Sequence, residues 1–143
     1  IAHPGDYDRH DWTPSPTATR FECGSPNLLG IHALEASLSL LQEVGMASVA
    51  SAIEQRISRL MSLLDQAGFE VLTPRAPERH AGILTFRVPG ADHPSLWRGL
   101  QTRGVICALR GGGIRFSPHF YTDEALLNRA VTLVKEVLAG EPG

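Results

Sequence analysis

Apolar residues recur along this chain at two spacings, and the switches between them outline its elements. Ile31, Leu34, Leu38 and Leu41 fall on one face at the helical period of about 3.6 residues. Gly45 ends or bends that helix. A second stripe runs through Val49, Ile53, Ile57, Leu60, Leu64 and Ala67, and Gly68 is its natural stop. Arg56 and Arg59 lie off this stripe and are expected to face water. The spacing then changes to strand-like runs. Phe69 to Thr73 predicts a short strand before Pro74, and Ile83 to Val88 predicts a second one rich in β-formers. Asp92 is placed to cap a helix through Leu96, Trp97 and Leu100 that closes at Gly104. Val105 to Leu109 predicts a third strand, Gly111 to Gly113 a turn, and Ile114 to Ser117 the return strand. Thr122 is placed to cap a last helix with the stripe Leu127, Ala130, Val131, Val134 and Leu138. Asp123 and Glu124 sit in its first turn, where the helix dipole favours anions.

The predicted order is ααββαββα. Without strict βαβ alternation, it argues for an α+β domain: a largely antiparallel sheet of about four strands covered by helices. Residues 1–20 read differently. Pro4, Gly5, Pro14 and Pro16 break up a polar stretch that has no apolar period. This divides the chain into an irregular segment, 1–20, and a small domain, 21–143. The irregular segment is expected to be a linker or the remnant of a larger, missing domain. The start at Ile1, with no initiator Met, points the same way.

Composition narrows the function classes. The 143 residues suit one compact domain, with 43% apolar and 20% charged residues. A net charge of -2 gives no footprint for nucleic acid or an anionic membrane. No apolar run approaches the roughly 20 residues that span a bilayer. The two cysteines, Cys23 and Cys107, form no metal-ligand pair, and free thiols in a reducing cytoplasm are the simpler reading. None of the six histidines shows metal-binding spacing. Lys135 is the only lysine, against twelve arginines.

Several places could carry chemistry. Ser25 follows Gly24 and precedes Pro26 at a helix start. A helix N-terminus offers unpaired N–H groups to an anion, and Gly24 lets a phosphate come close. From spacing alone, an ordinary cap is the commoner role for such a serine. Arg110 and Arg115 flank one tight turn. If Ile114 and Phe116 face the core, alternation sends Arg115 and Ser117 to the opposite face. Two neighbouring guanidiniums repel unless an anion lies near, and arginine grips carboxylates bidentately. A solvated hairpin with two exposed arginines is the alternative. His119 follows the same strand and is a weaker candidate. Cys107 reads as a buried, inert thiol. Cys23 precedes the helix start, where a thiol pKa can be lowered.

Two segments carry a family resemblance. Arg20-Phe21-Glu22-Cys23-Gly24-Ser25-Pro26-Asn27, followed by an apolar helix, resembles the RFE-x-G-T/S-P-N segment of class V aminotransferase and cysteine desulfurase enzymes, which use pyridoxal 5'-phosphate (PLP). Gly104-Val105-Ile106, and then Ile114 through Thr122, resembles the C-terminal R-x-S/A-x-x-x-Y-N/T segment of the same family. The likeness covers about residues 19–139, the family's small domain. It implies that Ser25, with Gly24 before it, contacts the PLP phosphate of a neighbouring subunit in a homodimer. It implies that Arg115 binds the carboxylate of an amino-acid substrate, in a transaminase first, with lyase or epimerase chemistry also open. The family's cofactor-binding lysine and its aspartate lie in the large domain, ahead of the segment matching Arg20. Lys135 falls in the last helix and cannot replace that lysine. The resemblance thus implies an active parent enzyme and a chain that is inactive alone. A stand-alone binding or dimerisation module, without catalysis, is the other reading. Cysteine desulfurases of the family hold a reactive cysteine in the loop that is only Gly111-Gly112-Gly113 here, which counts against sulfur transfer.

Overall fold

The computed structural model describes residues 2, 5–8, 10, 12–22 and 24–140. Packing divides the chain into two compact units, Ile1–Glu43 and Val44–Gly143. The first unit holds a short 3-10 turn, Ala18–Phe21, and nearly all of helix α1, Leu28–Val44. Asn27 caps α1, its Oδ1 accepting from the Gly30 N–H at 3.0 Å. The cap therefore falls two residues beyond Ser25. Pro26 has no N–H to give, and its carbonyl accepts from Leu28 at 2.8 Å. None of α1's residues is buried, and Leu34 and Leu38 keep 60% and 47% of their surface exposed. The periodic stripe is thus a helix signal without a core of its own within this unit.

The second unit begins with helix α2, Met46–Gln66, which follows Gly45 at φ 86°. Its stripe buries Val49, Ile57, Leu60 and Leu64, and Gly68 ends it at φ 73°, a left-handed value that glycine adopts without steric cost. Strand β1, Glu70–Val71, and strand β2, Leu84–Arg87, come next. Helix α3, His93–Thr102, leads to β3, Ala108–Arg110, then β4, Gly113–Phe116, and helix α4, Glu124–Leu138. The order is the predicted ααββαββα, and the four strands form one antiparallel sheet in the order β1-β2-β4-β3. The strands are shorter than their apolar runs.

One face of the sheet packs on the helices. Leu84 and Phe86 of β2 and Ile114 of β4 are fully buried there, against Ile57, Leu64, Leu100 and Val134. Phe86 lies between the rings of Phe69 and Phe116, at centroid distances of 5.9 and 5.2 Å. Arg110 pairs with Gly113 across a two-residue turn, Gly111 at φ 59° and Gly112 at φ 78°. Positive φ at both central positions gives the tight hairpin that matches strand twist, and it favours glycine at both.

Three local expectations change. Arg56 and Arg59 do not simply face water. Arg56 donates to the Thr122 carbonyl, and Arg59 pairs with Glu124 at 2.7 Å, so both tie α2 to the start of α4. Asp123, rather than Thr122, caps α4, accepting from Leu126 N–H at 2.8 Å. Thr122 turns back instead, its hydroxyl accepting from His119 N–H at 3.0 Å. Asp92 holds the cap position of α3, but its side chain makes no capping bond. Among the described residues, no single helix is long and apolar enough to cross a membrane.

Candidate functional site

The sheet's second face carries the site. Alternation along β4 buries Ile114 and Phe116 and turns Arg115 away from them, as the sequence predicts. The register places Thr85 of β2 opposite Arg115 on one side and Ala108 of β3 opposite it on the other. Both neighbours are small, so the guanidinium rises from the middle of the sheet without a bulky wall. Thr85 is itself fixed, its N–H donating to the Thr73 hydroxyl at 2.8 Å. Arg115 is half-buried.

Glu70 of β1 is opposite Arg87 of β2, and Arg110 of β3 is opposite Gly113 of β4. The β2–β4 pairing ends at Phe86 opposite Ile114, and Gly113 lies against the backbone where Phe86 joins Arg87. Arg87 is neutralised there by a bidentate pair with Glu70, at 2.6 and 2.8 Å. Mutual bonding with Glu70 raises the Arg87 pKa further above its already high ordinary value. Arg110 and Arg115 have no hydrogen-bond or ion-pair partner among the described residues. Two uncompensated guanidiniums on paired strands make an anion-seeking surface.

Gly24 and Ser25 lie in the first unit, in the turn that enters α1, and both are exposed. Because Asn27 provides the cap, the Ser25 hydroxyl stays free of any partner among the described residues. A Cβ on Gly24 would meet nothing within 4 Å, so the backbone here is open to an approaching group. Arg115 belongs to the second unit.

The remaining candidates fall elsewhere. His119 stacks on Tyr121 at 4.5 Å and meets the Phe120 ring at a tilt, at 4.7 Å. It borders a cavity of about 460 Å³ whose walls include Leu60, Val105, Phe116 and Leu127. Cys107 is half-buried, and burial pushes its thiol pKa up, against a smaller lowering effect from Gln101. Both the Trp97 ring N–H and the Gln101 amide donate to its carbonyl, at 3.1 and 2.8 Å. The sequence predicts a buried thiol within a strand; Cys107 is instead half-buried and lies just ahead of β3, although burial still raises its pKa. Cys23 lies outside the described residues. Among those residues, no group of His, Cys, Asp or Glu side chains could hold a metal ion. Sequence reasoning missed Thr85, Ala108 and Gly113 as the floor around Arg115, because only the strand register reveals them. It also missed Asn27, although an Asn directly before an apolar run is a cap signal.

This geometry meets the comparisons with known proteins. The family model described as Aminotransferase class-V matches residues 5–123. The chain therefore belongs to the class V aminotransferase family. It is similar to isopenicillin N epimerase of Streptomyces clavuligerus, 31% identical over 96% of this chain and 36% of that protein. It is similar to kynureninase of Koribacter versatilis, 32% identical over 70% of this chain and 24% of that one. In fold it resembles the apo structure of a cysteine desulfurase from Thermococcus onnurineus, at TM-score 0.76 and 22% identity, covering 86% of this chain and 34% of the other. The chain thus spans between a quarter and somewhat over a third of the length of these relatives.

Proposed function

We propose that this chain is the small domain of a PLP-dependent enzyme that acts on an amino acid, with transamination as its reaction. The observation that carries the reading is Arg115. It is an unpaired guanidinium at the centre of the sheet face turned away from the core, flanked by Thr85 and Ala108, in the family's C-terminal motif. Its planar fork suits a carboxylate, and the two small neighbours leave room for one.

The free hydroxyl of Ser25 and the open backbone at Gly24 suit the phosphate end of PLP, which would be held by charge-assisted hydrogen bonds near the start of α1. In a homodimer that phosphate belongs to the neighbouring subunit's cofactor. PLP, when bound, serves as the electron sink for the bond changes at the substrate's α-carbon. The chain's only lysine, Lys135, is exposed on α4 and has no place beside Arg115 on the sheet. The lysine and aspartate that anchor PLP are therefore assigned to the rest of the parent protein. The exposed apolar stripe of α1 is assigned to contact with that same part. The chain's own contribution is orientation: Arg115 fixes the carboxylate, and Ser25 fixes the phosphate end of the cofactor.

Sulfur transfer through a persulfide is disfavoured by two features. The hairpin turn is only Gly111-Gly112, and the neighbouring thiol, Cys107, is packed with its pKa raised.

The test uses the full-length protein. It should purify with PLP, visible by absorbance. Arg115→Lys should raise KM for the amino acid about 10- to 100-fold while changing kcat much less, because a lysine cannot reproduce the bidentate fork. A full-length protein that binds no PLP, or an Arg115→Lys variant with unaltered kinetics, would refute this reading.

A further inference from the structure

The second free guanidinium, Arg110, is not needed to hold one carboxylate at Arg115, and its placement defines a second anion position. Arg110 stands on β3 two residues beyond Ala108, the residue opposite Arg115. The two arginines are diagonal neighbours on one sheet face, with a separation of about 7–8 Å at the backbone. The row between them is floored by Gly113, which contributes no side chain. A Cβ there would collide with the Phe86 carbonyl, so this floor is held bare by the close approach of β2. The turn beyond it, Gly111-Gly112, adds no wall either.

Four other arginines of this unit are compensated by acids of the chain: Arg59, Arg75, Arg87 and Arg129 pair with Glu124, Asp65, Glu70 and Glu136 respectively. On the site's own face, Glu70 is already taken by Arg87. Arg110 and Arg115 are left facing one bare floor with like charges and no acid between them. Such a pair is relieved best by a ligand that carries two negative groups.

We infer that the substrate is an amino acid whose side chain ends in a second carboxylate, held by Arg110 while Arg115 takes the α-carboxylate. This rests on the reading of Arg115 given above. Each guanidinium then meets its own anion. An amino acid with a neutral side chain would leave Arg110 uncompensated.

The experiment measures binding of glutarate and butyrate to the full-length protein by titration calorimetry at low ionic strength. The two probes share a four-carbon acid and differ in the second carboxylate. Glutarate should bind about fivefold more tightly, the scale of one partly exposed ion pair. R110Q should abolish that preference by weakening glutarate clearly more than butyrate. R110K should keep part of it, because the charge remains. R115Q should weaken both probes. Equal binding of the two probes, or a glutarate preference that survives in R110Q, overturns the inference while Arg115 keeps its assigned role. Butyrate binding that is insensitive to R115Q overturns the reading of Arg115 itself, and the inference with it.

Discussion

Gly113→Ala tests whether the site's floor is dictated by backbone packing. The added Cβ would fall on the Phe86 carbonyl oxygen and within 2.8 Å of its carbonyl carbon. Both are backbone atoms of a central strand, so no rotamer change can make room. Either β4 must move away from β2 or the hairpin must twist. Overpacking of this kind costs about 1–3 kcal/mol. Losing one or two ladder hydrogen bonds near Phe86 and Ile114 adds about 1 kcal/mol each. The sum is roughly 2–5 kcal/mol. Gly112→Ala is the control one residue earlier. Nothing lies within 4 Å of its Cβ, and only the positive φ of 78° opposes it, a penalty of about 1–2 kcal/mol. Urea denaturation of both variants, followed by circular dichroism, gives the comparison. Gly113→Ala should lose clearly more stability than Gly112→Ala. It should also weaken carboxylate binding, because Arg115 is two residues further along the displaced strand. Equal losses, or a smaller loss for Gly113→Ala, would refute the argument that strand contact keeps this position bare.

Three further outcomes are expected. Phe86→Ala removes a fully buried ring held between Phe69 and Phe116 and should cost about 3–5 kcal/mol in the same denaturation assay; a loss below about 2 kcal/mol would show that the core collapses around the gap. Asp123→Ala removes the α4 cap and should cost about 1 kcal/mol, whereas Thr122→Val should leave that capping bond to Leu126 intact; a larger effect at Thr122 than at Asp123 would contradict the cap assignment. Because burial raises the Cys107 thiol pKa, its thiolate forms only at higher pH than that of a free cysteine. Alkylation of the Cys107 peptide, followed by mass spectrometry, should therefore rise later on the pH axis than alkylation of free cysteine, and a profile shifted to lower pH would contradict the packed environment.

Much of this protein was legible in its pattern of residues. The helical period of α2 and α4, the stops at Gly45, Gly68 and Gly104, and the hairpin at Gly111-Gly112 follow from local chemistry that needs no tertiary partner. Alternation alone also predicted that Arg115 leaves the core as Ile114 and Phe116 enter it. The apolar stripe of α1 specified a helix but could not say what covers it, because periodicity records a face and not its partner. Caps moved by one or two residues, from Ser25 to Asn27 and from Thr122 to Asp123, since several polar side chains compete for the same N–H groups. Strand register was decided only by tertiary structure. It set Thr85 and Ala108 beside Arg115, neutralised Arg87 with Glu70, and left Arg110 free across a bare Gly113. The physical reason is range. Turn and helix signals act over a few neighbouring residues, whereas the charge left over on a sheet face depends on which distant strands lie side by side.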